Sequence, residues 1–545
     1  MATEKPMTKH ISRRRLLSAL TTLGAGAAAA PAGLSAQARR AAAPTTAPPP
    51  PNVYETLGVK PLINGRGTFT IIGGSMELPE VRAAKSGANV QYAQLDELMD
   101  AAGKRLGELT GAEWGMVSAG CAAAMSHATA ACVAGGNPDL HVRLPNLAGF
   151  PKDEVIIPTH SRNVYDAAIR AVGVKIIEVD SPDALQLAIG PKTAMIYIFA
   201  GPRTDSGPMS TESICSIAKR HDVPVFVDAA AEILTIPNVH LQRGATLVGY
   251  SGGKYIRGPQ SAGLLLGRKD LVRAAWVHSA PHHGYARAMK VGREEIVGMV
   301  VAVESWVKRD HAAEWKQWVA RCDHIAGQLS KVNGVQAFVQ REANEGLSNR
   351  SPRVTIRWNS QQLGITGAEA ADILFKTEPR IALSGAGRPA PGQESAGDTG
   401  VAVVTAMLAD GDEKVVAQRI AQLLSEPRAP KQAETVTSPA ADLTGRWEVA
   451  ITYSASKTTH TLQLQQRGNR LEGLHQGDFL SRDISGTING DAVSLASTVT
   501  ERHGDALNYR FRGTVSGDTI AGSLDMGEYL GATWSARRPA RTVAG

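Results

Sequence analysis

The sequence predicts an α/β protein with a mostly parallel sheet, followed by a small antiparallel all-β domain. Between residues 53 and 424, short apolar runs such as "TAMIYIF" and "VPVFVD" alternate with segments of helical periodicity. Continuous apolar strands are typical of parallel sheets that helices cover on both faces. After residue 443, short alternating runs and turns follow one another. They predict about eight antiparallel strands in a barrel or a sandwich.

The chain has 545 residues, which is more than one domain of roughly 100–200 residues usually contains. We expect a large domain over about 80–300 and a small domain over about 330–424, which also includes the N-terminal segment of the catalytic region. A linker over 425–442 then leads to the β domain, 443–538. That domain contains no evident catalytic set, so a stabilising or docking module is favoured over a ligand-binding barrel.

The first 38 residues have the pattern of an export signal. Ser12-Arg13-Arg14-Arg15-Leu16-Leu17 resembles the twin-arginine motif, a mildly apolar stretch follows, and Ala36-Gln37-Ala38 is a cleavage pattern. Residues 39–52 form a proline-rich linker. We therefore expect twin-arginine export, cleavage after Ala38 and a periplasmic or otherwise exported protein. A disordered basic tail is the alternative.

Composition argues against several classes of function. The net charge is +7, but residues 1–38 hold five basic residues and one acidic residue, which leaves only +3 for the remainder. This is weak support for binding nucleic acid. The four cysteines show no CxxC or metal-ligand spacing, so we expect neither a disulfide framework nor a metal site. No later segment is apolar for the ~18 residues of a membrane helix.

One lysine stands in an unusual setting. Lys254 lies in "YSGGKYIRGPQSAGLLLG", behind Gly252 and Gly253 and between two apolar runs. Desolvation lowers the pKa of a lysine and frees its lone pair for covalent chemistry. The pattern suits a Schiff base with pyridoxal 5'-phosphate (PLP), and the glycines are expected to leave room for its ring. A surface lysine in a glycine-rich loop is the alternative.

A carboxylate is expected at the same edge of the sheet. Asp228 ends the apolar run "VPVFVD", and a carboxylate at a buried strand end needs a cation or donors. In PLP enzymes an aspartate keeps the pyridine nitrogen protonated. Asp228 is therefore the predicted partner of that nitrogen, with a helix N-cap as the alternative.

A phosphate site is predicted where small residues open a helix after a strand, in "SAGCAAAMSHATAA". Free N–H groups and the helix dipole bind phosphate there. The candidates for this contact are Ser118, Gly120, Cys121 and Ala122, and Ser251 adds a hydroxyl near the lysine. Close packing of an alanine-rich helix is the alternative.

Two segments supply candidates for binding substrate. Arg380 in "EPRI" is suited to clamp a carboxylate, unless it pairs with Glu378 on the surface. "THSRNVYD" adds His160, Arg162 and Asn163 at the expected active-site edge. His160 is a catalytic candidate that would stack on the cofactor ring or move a proton, and a capping role is the alternative.

Seven segments in this order resemble the PLP-dependent family of bacterial selenocysteine synthase, and more closely its lyase-like branch, which includes D-glucosaminate-6-phosphate ammonia-lyase. They are "YETLGVKPLINGRGTFTIIGGSMELPEV", "LDELMDAAGKRLGELTGAEWGMVSAGCAAA", "SRNVYDAAIR", "VFVDAAAE", "YSGGKYIRGPQSAGLLLG", "GYARAMKVGREEIVG" and "EPRI". The resemblance covers about 53–424 and implies fold type I, PLP on Lys254, a pyridinium partner at Asp228, and a homodimer or higher homo-oligomer. Where the selenocysteine synthases have a tRNA-binding N-terminal domain, we expect the signal peptide and the proline-rich linker.

The expected function is that of a PLP-dependent lyase on an amino acid or amino-sugar acid. Lys254 would take the α-proton, a β-group would leave, and ammonia would be released. The same residues serve aminotransfer, racemisation or β-replacement by a selenium or sulfur nucleophile, so a transferase is the alternative. An exported PLP-fold binding protein without catalysis is a third possibility, and a seryl-tRNA selenium transferase a fourth.

Overall fold

The fold is taken from a computed structural model that describes residues 52–343, 346–430, 436–500 and 506–539. The predicted signal peptide, and the linker up to residue 51, lie outside these residues. The chain divides into two units, 1–59 and 60–545. In the first unit, the described residues include one helical turn. Asn52 caps the start of this turn, because its side chain accepts a hydrogen bond from the Tyr54 N–H.

The helices alternate with strands through most of the second unit. In chain order the α-helices are α1 Val53–Thr56, α2 Pro79–Asn89, α3 Leu95–Thr110, α4 Cys121–Ala134, α5 Pro138–His141, α6 Ala167–Arg170, α7 Pro182–Ala188, α8 Pro202–Asp205, α9 Thr211–Lys219, α10 Val239–Gln242, α11 Lys269–Val277, α12 Arg293–Lys308, α13 His311–Leu329, α14 Ser360–Leu363, α15 Gly367–Lys376 and α16 Asp412–Ser425. Among the described residues, none of these helices has the length and apolarity needed to cross a membrane.

The strands form three main sheets and one short pair. In chain order they are β1 Ile63–Asn64, β2 Trp114–Ser118, β3 Glu154–Pro158, β4 Lys175–Val179, β5 Thr193–Phe199, β6 Val225–Asp228, β7 Leu247–Ser251, β8 Gly263–Gly267, β9 Val335–Gln340, β10 Arg353–Trp358, β11 Ile381–Ala382, β12 Ser384–Gly385, β13 Thr399–Val404, β14 Gly445–Thr452, β15 Lys457–Arg467, β16 Arg470–Gln476, β17 Ser481–Asn489, β18 Ala492–Thr500, β19 Ala506–Ser516, β20 Thr519–Asp525 and β21 Gly531–Arg537.

The central sheet has the order β2-β8-β7-β6-β5-β3-β4. Neighbouring strands from β7 to β4 run parallel, while β8 is antiparallel to both β2 and β7. The sheet is therefore mixed, with a parallel majority, and the predicted α/β class is confirmed. Strands such as β5 and β6 are buried almost throughout, because helices cover both faces of a sheet of this kind.

A smaller region follows the long helices α12 and α13. Its four-stranded antiparallel sheet has the order β12-β13-β10-β9, and β1 pairs in parallel with β11. Its own apolar core includes Trp358, Leu374 and Ile420, all buried. The N-terminal segment thus joins the small region through β1, because β1 and β11 exchange backbone hydrogen bonds.

The C-terminal strands β14 to β21 form a closed antiparallel barrel in sequential order, with β14 pairing to β21. Alternate residues point inward, and Trp447, Leu462 and Phe511 are among those that fill the interior. Of the two architectures that the sequence left open, the structure has the barrel. Closure removes the unpaired edges that a sandwich would keep.

Candidate active site

The carboxyl ends of the parallel strands meet at one edge of the central sheet. Asp228, the last residue of β6, lies between Phe199 of β5 and Gly249 of β7. Ser118 is the last residue of β2, and Ser251 is the last residue of β7. Both pair with Gly263 at the start of β8, which lies between these two strands. Residues from distant parts of the sequence are thereby brought to one place.

Asp228 is the buried carboxylate at this edge, with 2% of its surface exposed. Its Oδ1 accepts hydrogen bonds from the Ala230 N–H at 3.0 Å and from the Cys121 thiol at 3.4 Å. Its Oδ2 accepts one from the Tyr197 hydroxyl at 3.0 Å. Burial raises the pKa of Asp228, and these donors together with the charge of Lys254 oppose that rise. A carboxylate has about four acceptor positions, so one remains for a further N–H donor.

A tyrosine that sequence reasoning missed supports Asp228. Tyr197 lies inside the apolar run of β5 and is fully buried, so its hydroxyl needs a partner. Asn163 donates from Nδ2 to that hydroxyl at 3.0 Å, and its Oδ1 accepts from the Tyr165 N–H. Asn163, predicted to bind substrate, thus lies behind Asp228 in a chain of hydrogen bonds. The feature of the sequence that could have indicated Tyr197 is a phenol hydroxyl in the middle of the apolar run "AMIYIF".

Lys254 follows β7 and is half-buried. Burial lowers the pKa of its amine, while nearby Cys121 and Asp228 act in the opposite direction. Within the part of the chain that the structure describes, the amine has no hydrogen-bond or ion-pair partner. A buried lysine without such a partner is suited to lose its proton and react as a nucleophile.

Close packing requires the two glycines before Lys254, Gly252 and Gly253. A Cβ on Gly252 would lie 2.6 Å from the Met299 sulfur, and a Cβ on Gly253 would lie 2.7 Å from the Gln260 Cα. Both glycines are therefore required because other parts of the protein approach the backbone closely. Close packing is thus sufficient to explain both glycines, and the expectation that they also leave room for a cofactor ring stays a prediction.

The chain segment before α2 packs on the lysine loop, which the sequence did not indicate. The Ser75 N–H donates to the Gly253 carbonyl at 3.0 Å. Arg257 Nε donates to the Met76 carbonyl at 3.0 Å. Gly74 has φ +64°, and a Cβ there would lie 2.5 Å from the Gly253 oxygen. This segment thus holds the loop that carries Lys254.

The start of α4 follows the end of β2 and is partly exposed. Gly120 precedes it with φ +90°, and a Cβ on Gly263 would lie 2.7 Å from the Cys121 nitrogen. Ser118 donates its hydroxyl to the Gly120 carbonyl at 2.8 Å. Nearly all of α4 is buried, yet Ala122 in its first turn is exposed. The first turn of α4, whose N–H groups have no partner within the helix, is thus partly exposed.

His160 lies in a short helical turn directly after β3. Its Nε2 is buried and has no hydrogen-bond partner among the described residues. Burial lowers the pKa of His160, and the charge of nearby Arg203 lowers it further. The imidazole is therefore neutral at pH 7, and its Nε2 is available to hydrogen-bond a bound molecule. Arg203, which sequence reasoning missed, is exposed.

The two arginines predicted to bind substrate are engaged elsewhere. Arg162 Nε donates to Asp166 at 2.6 Å, and its Nη1 pairs with Glu178. Arg380 donates to the Phe375 and Lys60 carbonyls, both at 2.8 Å. These bonds tie the two guanidinium groups to the protein, so neither is presented as a free clamp. The alternative partner of Arg380, Glu378, instead pairs with Lys60.

The chemistry of these groups fits PLP. A lysine of lowered pKa suits an aldehyde, an open acceptor on Asp228 suits a pyridinium N–H, and an exposed helix start suits a phosphate. The orphaned His160 nitrogen adds a place for a further polar contact. The fold and this set of groups define the class of fold-type-I PLP-dependent enzymes.

No family model matches the chain. Comparisons with individual proteins show which family of PLP-dependent enzymes it resembles. D-glucosaminate-6-phosphate ammonia lyase of Salmonella typhimurium is 31% identical over 328 residues, which are 58% of this chain and 85% of the relative. A 5'-C-glycyluridine monooxygenase-decarboxylase of a Streptomyces species is 30% identical over 346 residues, 61% of this chain and 83% of the relative. The chain therefore belongs to the family of D-glucosaminate-6-phosphate ammonia-lyase.

A solved structure of D-glucosaminate-6-phosphate ammonia-lyase agrees with this assignment. It superposes with a TM-score of 0.59 at 27% identity and covers 69% of this chain and 98% of its own. The L-seryl-tRNA(Sec) selenium transferase of Moorella thermoacetica is 26% identical over 290 residues, which are 57% of its length. The resemblance to selenocysteine synthase thus extends over little more than half of that enzyme.

Proposed function

We propose that this protein is a PLP-dependent lyase that releases ammonia from an amino acid or an amino-sugar acid. The observation that carries the proposal is that Lys254, just after β7, and Asp228, at the end of the neighbouring strand β6, lie at one sheet edge and close enough for their charges to interact, in a chain that belongs to an ammonia-lyase family. The name of the relative favours an amino-sugar acid over a simple amino acid.

The residues that would hold PLP each match one of its groups. Lys254 would bind its aldehyde carbon, Asp228 its pyridine nitrogen, and the start of α4 with Ser251 its phosphate. When bound, PLP supplies an electron sink that stabilises negative charge at the α-carbon of the substrate.

The protein's own groups move the protons. Because burial lowers the pKa of Lys254, a larger fraction of its amine is neutral and can take a proton from the α-carbon. Tyr197 and Asn163 keep Asp228 in place. The proton that Lys254 takes is then available to the group that leaves the β-carbon. His160, which is neutral and has a buried Nε2 without a partner among the described residues, can hydrogen-bond that group or pass the proton on.

Arg203 is the best remaining candidate for the substrate carboxylate. It is exposed, its charge acts on His160, and it forms no ion pair with another described residue. Arg162 and Arg380 are tied to protein oxygens instead. A guanidinium near the acid–base group would orient the substrate by pairing with its carboxylate.

Product analysis tests the proposal. PLP-loaded protein is incubated with D-glucosaminate, D-glucosaminate-6-phosphate and a panel of D- and L-amino acids. We expect one of them to yield ammonia and a 2-oxo acid in equal amounts. Amino transfer to an added 2-oxo acid, without free ammonia, would establish the transferase instead. Protein that shows no visible absorbance of lysine-bound PLP would overturn both.

A second candidate function comes from the other well-covered relative. Its name describes a monooxygenase and decarboxylase, and it is nearly as similar to this chain as the ammonia lyase is. The same screen should therefore record oxygen consumption and CO2 release. Oxygen-dependent CO2 release with no 2-oxo acid would favour this second reaction.

We further propose that the protein is exported through the twin-arginine pathway and acts as a homo-oligomer. The Arg13-Arg14 pair and the cleavage pattern before Arg39 support export. Replacing both arginines by lysine is expected to leave uncleaved protein in the cytoplasm, as cell fractionation would detect. Cleaved, exported protein from the double variant would contradict this, and native mass measurement would give the oligomeric state.

A further inference from the structure

The C-terminal barrel has two unlike halves. Toward one end its interior is apolar, with Leu464, Leu471 and Ile488 buried. Toward the other end the inward positions are polar. This polar cluster comprises His460, His475, Arg482, Ser497 and Tyr509. Interiors of small barrels are usually filled with apolar side chains, so a polar half needs a reason.

The two histidines of the cluster satisfy each other. His460 Nδ1 lies 2.8 Å from His475 Nε2, and His475 Nδ1 lies 3.1 Å from the Ser497 hydroxyl. His460 Nε2 also lies 3.5 Å from Asp478. Burial lowers the pKa of His475 to about 3 and lowers that of His460 as well. Both are neutral at pH 7, so they add no positive charge.

Arg482 is different, because its charge is permanent and two of its guanidinium nitrogens have no partner among the described residues. It lies opposite His475 in the β16–β17 register and is 8% exposed. Its Nε and Nη1 are buried and form no hydrogen bond with any residue that the structure describes. Its guanidinium carbon lies 4.9 Å from the centre of the Tyr509 ring. A guanidinium cannot discharge by losing its proton, so a bound anion would stabilise these buried nitrogens.

A cavity opens at the same end of the barrel. Its volume is about 360 Å³, which is in the range of small-molecule sites. Tyr453, Leu507, Tyr509, Met526 and Tyr529 line it, and it is therefore largely aromatic and apolar. Tyr509 belongs to both features, since one ring contacts Arg482 and also forms the cavity wall.

We propose that this end of the barrel binds a small carboxylic acid with an apolar body, whose carboxylate pairs with Arg482 and whose body fills the tyrosine-lined cavity. A monoanion fits better than a phosphate. The cluster has one permanent cation, and the Asp478 carboxylate nearby would repel a dianion. The site is separate from the catalytic edge and does not depend on the proposed reaction.

Calorimetric titration of the full-length, PLP-loaded protein tests the proposal with three matched probes: 2-naphthoate, the neutral 2-naphthamide and 2-naphthyl phosphate. We expect naphthoate to bind about tenfold more tightly than naphthamide, because only the carboxylate pairs with the guanidinium. Arg482→Gln should reduce this preference to within about twofold. Arg446→Gln, an exposed arginine on the outside of β14, should leave it unchanged.

A second variant tests the cavity without changing the charge. Leu507→Trp adds bulk to the cavity wall and should weaken naphthoate binding, while the visible absorbance of bound PLP stays as in the wild type. The proposal is overturned if naphthoate and naphthamide bind equally, if neither binds, or if Arg482→Gln keeps the preference. Tighter binding of naphthyl phosphate than of naphthoate would overturn the choice of a carboxylate.

Discussion

Lys254 and Arg482 are cations that are partly or largely shielded from water, but the protein treats them differently. Burial lowers the pKa of the Lys254 amine, and the charge of nearby Asp228 opposes this change. Arg482 lies against the Tyr509 ring, has two buried nitrogens without a partner among the described residues, and keeps its charge. A lysine escapes the cost of burial by becoming a neutral nucleophile, whereas an arginine cannot. The first setting therefore suits covalent chemistry, and the second suits the binding of an anion.

The largest effect is expected at the lysine. Lys254→Ala removes both the cofactor anchor and the base, so activity should fall by about 10²–10⁴-fold or more, and the absorbance of lysine-bound PLP should disappear. Lys175→Ala, at an exposed lysine, is the matched control. Retained absorbance in the Lys254 variant, with the control normal, would place the cofactor on another residue.

A smaller effect is expected behind the carboxylate. Tyr197→Phe removes one donor to Asp228, so the pKa of Asp228, already raised by burial, should rise further. Asp228 would then become protonated at a higher pH, and the acidic limb of the kcat/KM profile should move upward, with a loss of roughly tenfold near neutral pH. A merely structural role would lower activity equally at all pH values and leave the limb in place.

At the arginine in the barrel, the expected change is in stability rather than catalysis. Arg482→Met replaces an unpaired buried charge with an apolar chain, so the free energy of opening of β16 and β17 should rise by about 1 kcal/mol. Hydrogen–deuterium exchange of those strands measures it, with Arg446→Met as control. Faster exchange in the Arg482 variant would mean that the guanidinium stabilises the barrel as it stands.

The smallest effect is expected where the protein itself already binds the guanidinium. Arg380 donates to two backbone carbonyls and its guanidinium carbon lies 4.7 Å from the centre of the Phe375 ring. Arg380→Gln should therefore change KM by no more than about threefold, since a contact to substrate would cost more. A tenfold or larger rise in KM, with kcat unchanged, would restore Arg380 as the substrate clamp.

The strand ends of the catalytic region were predictable, and the contacts among them were not. Asp228 and Lys254 follow apolar runs, and in a parallel sheet the carboxyl ends of strands share an edge. Tyr197 and Asn163 are 34 residues apart, so their hydrogen bond has no local signal. Arg162 and Asp166 are only four residues apart, but Arg162 and Asn163 between two short helical turns are extended, so helical spacing does not predict their pairing either.

The barrel shows the same division. Alternation along β15 to β17 predicts which side chains point inward, including His460, His475 and Arg482. It does not predict that the three meet at one end, because that depends on register between strands and on closure through β14 and β21. The polar cluster was therefore present in the pattern and was not recognised there.

By itself, the sequence determined the class of fold, the order of its parts, which aspartate ends a strand and which lysine follows one, because periodicity is a local property of the chain. Only the tertiary structure decided that Cys121 and Tyr197 donate to Asp228, that Arg162 and Arg380 are already engaged, and that two nitrogens of Arg482 are buried without a partner among the described residues. Each of these depends on which atoms from distant segments come within hydrogen-bond distance. Packing between segments that are distant in sequence sets those distances, so the order of residues along the chain does not predict them.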